Sequence, residues 1–367
     1  MRSRSPPEPP VKGRGATFNP ANRFRADSRE ACDDGWPTDP DDESPPPRKT
    51  TVTIQTSRTI IARNDSPDIP FSQSINPYQG CEHGCIYCYA RPTHAYLDLS
   101  PGLDFETRLF AKPDAARLLR AELARPGYRC DPIALGTNTD PYQPIERDWK
   151  VTRSILEVLA EHEHPFTIVT KSALVERDID LIAPMALKRM ARVYLSITTL
   201  DRDLARKMEP RAAAPQRRLQ ALKTLSASGI PVGVMVAPII PQLNDRDLEA
   251  ILEAAAANGA TSAGWVLVRL PREVAPLFRE WLDVHYPLRA AHIMSLIGQM
   301  RGGRDYDATF GIRMRGTGEF AALLEQRFAI ASRRLGLDRG RDQSGLDTSR
   351  FRPPSVRDDG GQADLFA

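Results

Sequence analysis

Cysteine is scarce in this chain, and so are aromatic side chains and long apolar runs. Only five of the 367 residues are cysteine, and aromatic residues make up 7%. The most apolar run, residues 229–243, holds three prolines and is too short to span a membrane. No apolar segment follows residues 1–4, so no secretory signal is predicted. These absences predict a cytoplasmic protein with reduced thiols and no membrane partner.

An excess of charge of one sign is also lacking, and the two ends of the chain lack apolar residues. The formal net charge is +3 and the pI is about 8.6, which permits a nucleic-acid partner without arguing for one. Residues 1–50 are rich in Pro, Arg, Asp, Glu and Ser and cannot bury enough apolar surface to offset chain entropy. Residues 339–367 are rich in Gly, Asp and Arg. We therefore predict a disordered N-terminal tail and a mobile C-terminal tail.

Between the tails, short apolar strands alternate with amphipathic helices. The predicted strands lie at residues 51–61, 71–75, 105–110, 132–135, 166–169, 193–197, 232–236 and 263–268. The predicted helices lie at residues 87–97, 115–123, 151–159, 174–190, 215–228, 245–257, 289–300 and 319–335. Such alternation is typical of parallel strands joined by right-handed crossovers.

Counting gives about six strand–helix units, which predicts an α/β fold with a partial (β/α)6 TIM-type barrel. A flavodoxin-like sheet has the same alternation and is the alternative. The predicted core covers residues 51–300, including an N-terminal strand extension. Residues 301–338 form a predicted C-terminal helical segment that packs against the barrel.

Three of the five cysteines fall within eight residues. Cys81, Cys85 and Cys88 have the spacing C-x3-C-x2-C, directly after a predicted strand. Four-cysteine patterns saturate the irons of a cluster, whereas three cysteines leave one iron without a protein ligand. An open coordination position is typical of a catalytic metal site. A structural zinc site, with His83 or His94 as the fourth ligand, is the alternative.

This spacing, with Tyr87 before the last cysteine, resembles the signature of the radical S-adenosylmethionine (SAM) enzymes. Residues 76–91 read N-P-Y-Q-G-C-E-H-G-C-I-Y-C-Y-A-R and most resemble a group of mostly uncharacterised bacterial proteins near spore photoproduct lyase. The likeness covers roughly residues 70–300, including 105–112, 136–144 and 209–211. It implies a (β/α)6 partial barrel and a [4Fe-4S] cluster on Cys81, Cys85 and Cys88, with SAM on the fourth iron.

The resemblance also implies a reaction. A reductant such as flavodoxin or ferredoxin gives an electron to the cluster. The reduced cluster then passes an electron to the sulfonium of SAM. Methionine leaves, and a 5′-deoxyadenosyl radical abstracts hydrogen from a substrate. The protein orients SAM and excludes water and oxygen.

In parallel barrels, functional groups collect at the carboxyl ends of the strands. The resemblance implies that Thr137, Thr139 and Asp140 receive the amino group of SAM, although the family's usual Gly-Gly-Glu pattern is absent. It further implies that Ser196 and Thr198, which share one face of a strand, contact the ribose.

Four more residues are candidate SAM contacts. Val266 would lie at the adenine edge, and Tyr87 would lie near the adenine through its backbone. Lys171 would pair with the SAM carboxylate or cap a neighbouring loop. Arg211 would bind a carboxylate bidentately, or form an ion pair with Glu209 or Asp201.

The sequence favours DNA over other substrates without deciding the matter. Gln362–Phe366 read Q-A-D-L-F and resemble the peptide by which bacterial proteins dock on the DNA sliding clamp. The basic segment 301–315 is either a phosphate-contacting patch or a solvated face. Two alternative functions stay open: a radical SAM enzyme acting on a small metabolite or peptide, and a non-enzymatic iron–sulfur or zinc scaffold or redox sensor.

Overall fold

The computed structural model describes residues 11–25, 49–338 and 345–354. Ten strands form two sheets, and their bounds are β1 Thr51–Ile54, β2 Ile61–Arg63, β3 Gln73–Ile75, β4 Tyr78–Gln79, β5 Arg108–Ala111, β6 Ile133–Leu135, β7 Phe166–Thr170, β8 Ala191–Ser196, β9 Val232–Ile239 and β10 Ser262–Leu267. The larger sheet has the order β10-β9-β8-β7-β6-β3-β2, and the smaller one has the order β1-β5-β4.

The larger sheet is the wall of a partial barrel. Its strands β3, β6, β7, β8, β9 and β10 pair in parallel, and β2 pairs with β3 antiparallel at the edge. These six parallel strands follow each other in chain order, with no reversal of the kind that defines a flavodoxin-like sheet. The predicted (β/α)6 partial barrel is therefore confirmed, and the flavodoxin-like alternative is wrong.

Eleven helices are found in the described residues. Their bounds are α1 Leu103–Thr107, α2 Ala115–Leu123, α3 Glu146–Trp149, α4 Val151–Glu161, α5 Ile179–Leu187, α6 Arg202–Met208, α7 Pro215–Ala227, α8 Leu248–Ala257, α9 Val274–His285, α10 Pro287–Gln299 and α11 Glu319–Arg334. Three 3-10 helices, Arg91–Leu97, Ala173–Asp178 and Asp245–Asp247, complete the set. In the described part of the chain, no helix combines the length and the apolar character that crossing a membrane requires.

Several predicted elements differ from the observed ones. The predicted strand at 51–61 is two strands, β1 in the smaller sheet and β2 in the larger one. The predicted strand at 105–110 is helical in its first half, where α1 runs to Thr107, and β5 begins at Arg108. The predicted helix at 87–97 begins only at Arg91, because Cys88 N bonds back to Cys85 O in a tight turn.

Part of the predicted N-terminal tail is packed on the barrel. We call residues 11–25 the strap. Ala16 is fully buried and belongs to the same apolar cluster as Cys85 and Ile86. Gly15 lies so close to the cysteine loop that an added Cβ would come 1.8 Å from Gly84 O. The prediction of disorder therefore fails for this stretch, since Ala16 is completely buried and the half-buried Val11 and Phe18 pack against the same cluster.

Part of the predicted C-terminal tail is packed as well. Phe351 lies against Tyr128 and His164, with ring centroids 5.5 Å and 5.2 Å apart. Arg352 N donates to His162 O at 2.9 Å. Residues 345–354 are thus fixed at the end of the barrel opposite the cysteine loop, because these contacts lie beside the start of β7.

Candidate cluster and cofactor site

The three cysteines lie on one loop between β4 and the first 3-10 helix. The loop turns at Gly84, whose φ of 67° favours glycine. Cys81 N donates to Phe105 O at 3.0 Å, and Ile86 N donates to Met208 O at 3.1 Å. The loop is therefore anchored to the chain on both of its sides.

All three cysteines are free thiols, of which Cys81 and Cys85 are buried and Cys88 is half-buried. Burial raises the pKa of Cys81 well above its ordinary value, and the charges of Asp140 and the other two thiols raise it further. Burial raises the pKa of Cys85 to about 12, against the opposing effect of Lys171. Such thiols become stable thiolates when bound cations supply positive charge. The donor set and its burial fit an iron–sulfur cluster.

One ring nitrogen of each candidate fourth ligand of a zinc site already has a partner. His83 Nδ1 lies 3.3 Å from Asp140 Oδ2, and His94 Nε2 lies 2.9 Å from Arg108 O. Within residues 11–25, 49–338 and 345–354, no three His, Cys, Asp or Glu side chains meet closely enough to hold a metal ion. In a cluster each cysteine binds a separate iron, so the thiols need not converge on one point. This geometry disfavours the zinc site and is compatible with the cluster.

Glu209 binds side chains from three elements beside the loop. Its Oε1 accepts hydrogen bonds from Tyr87 Oη and from Thr198 Oγ1, the latter at 2.7 Å. Its Oε2 pairs with Arg218 Nη2, and both of these side chains are at most 1% exposed. We call these four residues the Glu209 network. It ties the cysteine loop, the end of β8 and helix α7 together.

The charges of the network keep its carboxylate ionised. Burial alone would raise the pKa of Glu209, but Arg218, Lys171 and the bond from Tyr87 lower it below its ordinary value. Arg218 Nη1 also donates to Ser196 O at 2.8 Å, and Ser196 Oγ donates to Ala237 O at 3.1 Å. Of the two predicted ribose contacts, Thr198 is thus part of this network, and the backbone of Ser196 is bound to it through Arg218.

Lys171, which follows β7, brings a second cation to the same place. Its Nζ lies 5.8 Å from the centroid of the Tyr87 ring. Burial alone would lower its pKa, but negative charge on Cys85 and Glu209 raises it above the ordinary value. In the described part of the chain, its ammonium group makes no hydrogen bond or ion pair. Its three N–H donors are therefore available to an anionic group beside the cysteine loop.

The predicted amino-group contacts are built into the loop after β6. Thr139 Oγ1 donates to Gly80 O at 2.7 Å, and Thr137 Oγ1 donates to Asn76 Oδ1 at 3.2 Å. Both hydroxyls join this loop to the region just before or at the start of the cysteine loop. Each oxygen keeps the capacity to accept a further bond.

Asp140 is the most heavily bonded residue of that loop. It accepts hydrogen bonds from Thr170 Oγ1 at 2.6 Å, Lys171 N at 2.8 Å and Tyr142 N at 2.9 Å. Burial opposes ionisation, but His83 and these donors lower the pKa of Asp140 to about 2. Its carboxylate fixes the backbone from which the Lys171 side chain extends.

Two other predicted SAM contacts lie apart from the network. Arg211 Nη2 pairs with Glu82 Oε1 at 2.8 Å, not with Glu209 or Asp201, and its side chain is 39% exposed. Val266 is half-buried where the pairing of β10 with β9 shifts register between Trp265 and Leu267. Neither contacts the other candidate residues.

The basic segment 301–315 does not present a continuous patch. Arg301 is 1% exposed and donates to Ile312 O and Val268 O, each at 2.9 Å. Arg313 Nε pairs with Asp68 Oδ2 at 2.5 Å. These two guanidinium groups therefore hold the loop to the barrel.

Two residues of the network were missed as site residues. Glu209 stands in the Glu209-Pro210-Arg211 motif, but the sequence suggests it only as a partner for Arg211. Arg218 lies within a helical run that includes two arginines and two glutamines, and no local signal separates it from a solvated residue. Only the packing of α7 against β8 brings its guanidinium to the site.

Comparison with known families and proteins agrees with this architecture. The Radical SAM superfamily pattern matches residues 75–255. An uncharacterized protein of Mycobacterium tuberculosis is 41% identical over 221 residues, which cover 60% of this chain and 65% of that protein. One of Methanocaldococcus jannaschii is 32% identical over 171 residues, covering 47% of this chain and 61% of that protein. The chain thus spans just under two thirds of these relatives.

Solved structures of spore photoproduct lyase share the fold. A mutant superposes with a TM-score of 0.54 at 17% identity, over 77% of this chain and 79% of that chain. The lyase complexed with a dinucleoside spore photoproduct gives 0.54 at 18%, over 77% and 78%. At this identity the likeness establishes the fold alone. The match of residues 75–255 to the radical SAM superfamily thus agrees with the thiol spacing and with the six-stranded parallel half-barrel.

Proposed function

We propose that the chain is a radical SAM enzyme whose [4Fe-4S] cluster is held by Cys81, Cys85 and Cys88. The observation that supports it most is the placement of three free thiols on one anchored loop at the mouth of a (β/α)6 half-barrel. When bound, the cluster and SAM supply the radical chemistry, in which reductive cleavage of SAM gives a 5′-deoxyadenosyl radical that removes hydrogen from a substrate.

The chain's own residues orient SAM in this proposal. Lys171 provides a cation with free donors, so we assign it to the SAM carboxylate. Arg211 is a weaker candidate for this role, because Glu82 already binds it. The oxygens of Thr137 and Thr139 accept from the amino group, while Asp140 holds the loop that carries them.

The remaining contacts complete the pocket. Ser196 and Thr198 face the ribose, and the backbone of Tyr87 lies near the adenine, whose edge rests on Val266. The Glu209 network fixes Tyr87 and Thr198 before SAM arrives, so fewer side chains must be ordered on binding. Burial by the barrel and the strap keeps water away from the reacting atoms.

Anaerobic reconstitution tests the proposal directly. We expect close to four irons and four sulfides per chain, and formation of 5′-deoxyadenosine when SAM and dithionite are added. Cys85→Ala should abolish that product, whereas Cys130→Ala, at a half-buried thiol away from the loop, should not. Continued formation of 5′-deoxyadenosine by Cys85→Ala would show that the cluster assignment is wrong.

For the substrate, we propose DNA ahead of a small metabolite or a peptide. Spore photoproduct lyase, which shares the fold, has been solved with a dinucleoside spore photoproduct. The Gln362–Phe366 segment lies outside the described residues, so docking on a sliding clamp stays a prediction from sequence. Transfer of deuterium from labelled oligonucleotides into 5′-deoxyadenosine would support DNA. Transfer from labelled metabolites or peptides, and not from oligonucleotides, would favour the alternative.

A further inference from the structure

A cavity of about 510 Å³ opens beside the cysteine loop. Four guanidinium groups line it, and a single carboxylate, Glu176, faces them. We call this cavity the arginine pocket, and its four arginines are Arg147, Arg177, Arg211 and Arg217. His83, which stands between Cys81 and Cys85 in sequence, also lines it, so the pocket reaches the cysteine loop itself.

The four arginines come from four separate elements. Arg147 lies in α3, Arg177 in the 3-10 helix after β7, Arg211 in the loop after α6, and Arg217 in α7. These elements follow β6, β7 and β8 in the chain. Parallel strands bring their carboxyl ends to one edge of a sheet, and this explains why residues so far apart in sequence meet here.

Carboxylates outside the pocket lining hold two of the guanidinium groups in place. Arg177 Nη2 pairs with Glu146 Oε1 at 2.6 Å and with Asp178 Oδ2 at 2.8 Å, and both acidic side chains are 0% exposed. Arg211 pairs with Glu82, which is also buried. These three acids are not among the lining residues, so they orient the arginines without facing the cavity. An arginine has five N–H donors. Arg177 already uses four of them, on Glu146 and Asp178, so it keeps one for a ligand, whereas Arg211 keeps more.

The other two guanidinium groups are less constrained. Arg217 pairs with Glu176 across the rim, and its side chain is 46% exposed. Arg147 is exposed and makes no side-chain hydrogen bond or ion pair in the described ranges. An ion pair at such exposure contributes little to stability, so both side chains can turn towards an anion at small cost.

We propose that the arginine pocket binds a phosphate-bearing ligand. Guanidinium groups bind phosphate oxygens bidentately. Arg147 has no counter-ion among the described residues, and the pair of Arg217 with Glu176 is exposed enough to open. These two arginines can therefore bind a phosphate, while the held Arg177 and Arg211 add further donors. The volume is in the range that holds a nucleotide-sized group. This assignment rests on the proposed function, and it names the substrate class as a phosphate-bearing molecule. Its phosphate binds beside the cysteine loop, and its reacting carbon reaches the mouth of the barrel.

Binding should be measured on the full, anaerobically reconstituted chain with three probes: inorganic pyrophosphate, a single-stranded 12-mer DNA labelled with a fluorophore, and the RNA of the same sequence. Arg147→Gln/Arg217→Gln removes two pocket charges without touching a buried ion pair. Arg125→Gln/Arg333→Gln removes two exposed arginines elsewhere and is the matched control. We expect the pocket variant to bind at least one probe about tenfold more weakly, and the control to bind like the unmodified chain.

The three probes identify the source of the phosphate. Binding of pyrophosphate alone would assign the pocket to a small phosphate ester. Tighter binding of an oligonucleotide, with a salt dependence whose slope falls by about two in the pocket variant, would assign it to a nucleic acid. The proposal is overturned if no probe binds at millimolar concentration, or if both double variants weaken binding equally. Formation of 5′-deoxyadenosine by the unmodified chain is assayed in parallel, and its absence would count against the proposed function and not against the pocket.

Discussion

Two buried guanidinium–carboxylate pairs flank the cysteine loop, and their partners differ. Arg91 and Glu106 are both 0% exposed and meet at 2.5 Å. Arg91 donates to the carbonyls of Cys85 and Gly102, and Glu106 accepts from the backbone N–H groups of Gly15 and Ala16, all between 2.9 Å and 3.0 Å. Apart from each other, the hydrogen-bond partners of both side chains are backbone groups.

The Arg218–Glu209 pair is equally buried, and Arg218 also donates to backbone carbonyls, but the carboxylate of this pair accepts from side chains. Glu209 binds the hydroxyls of Tyr87 and Thr198, and the ammonium of Lys171 adds a positive charge nearby. The first pair is neutral and connects the loop to the strap. The second, together with Lys171, leaves a net positive charge beside the thiols. The two pairs are therefore alike in burial and differ in what the carboxylate binds, which is backbone N–H groups at Glu106 and side-chain hydroxyls at Glu209.

The largest expected effect comes from breaking the structural pair. Glu106→Ala leaves Arg91 charged and buried with no counter-ion. It also removes the carboxylate oxygens that accept from the N–H groups of Gly15 and Ala16 in the strap. We expect a loss of about 3 to 5 kcal/mol in the free energy of unfolding, measured by urea denaturation under anaerobic conditions. Asp114→Ala breaks an exposed pair with Arg117 and should change stability by less than about 1 kcal/mol. Equal losses in the two variants would refute the structural role.

In the other pair, a substitution that keeps the shape of the side chain should act mainly on activity. Glu209→Gln keeps the shape but weakens the bonds to Tyr87 and Arg218. We expect formation of 5′-deoxyadenosine to fall about 10- to 100-fold, the equivalent of one charge-assisted hydrogen bond.

Iron content and the unfolding midpoint of Glu209→Gln show whether the effect is local. Both should stay closer to those of the unmodified chain than they do in Glu106→Ala. The proposed difference between the two pairs would be contradicted if Glu209→Gln lost as much iron as Glu106→Ala and kept its activity per iron.

Lys171→Met tests the extra positive charge. Removing the ammonium should raise the Kd for SAM by about tenfold or more, because a charge-assisted bond to the carboxylate is lost. Equilibrium dialysis of the reconstituted protein with labelled SAM gives this value, with iron content expected to stay unchanged. Lys223→Met, at an exposed position on α7, is the control. Unaltered SAM affinity in Lys171→Met would exclude the carboxylate assignment.

The smallest expected effect concerns the strap. Gly15→Val forces side-chain atoms against Gly84 O, so the strap must shift away from the loop. We expect about 1 to 3 kcal/mol of destabilisation and faster hydrogen exchange at Ala16. The control is Lys12→Ala, at an exposed position. In this variant, hydrogen exchange at Ala16 should keep the rate of the unmodified chain. Unchanged exchange in Gly15→Val would mean that the strap does not depend on this contact.

The sequence predicts the barrel because each strand and helix carries its own periodic signal. It predicts the cysteine loop because the ligand spacing is local. It does not predict the two buried pairs. Arg91 and Glu106 are 15 residues apart, and Gly15, whose N–H donates to Glu106, is 91 residues from it. Arg218 is not predicted either, because nothing in its local sequence distinguishes it from a solvated arginine. Contacts between distant segments depend on how elements pack, and a single sequence carries little record of that.

The strap has a consequence for where such a protein can be cut. The family match begins at residue 75, and the strap ends at residue 25, so the boundary of the family is not the boundary of the folded unit. A chain shortened to the matched region would keep all three cysteines but lose the segment that covers Gly84 and fills both acceptors of Glu106. Its thiols would be open to dioxygen from that side, and the preparation would lose iron in air faster than the full chain does.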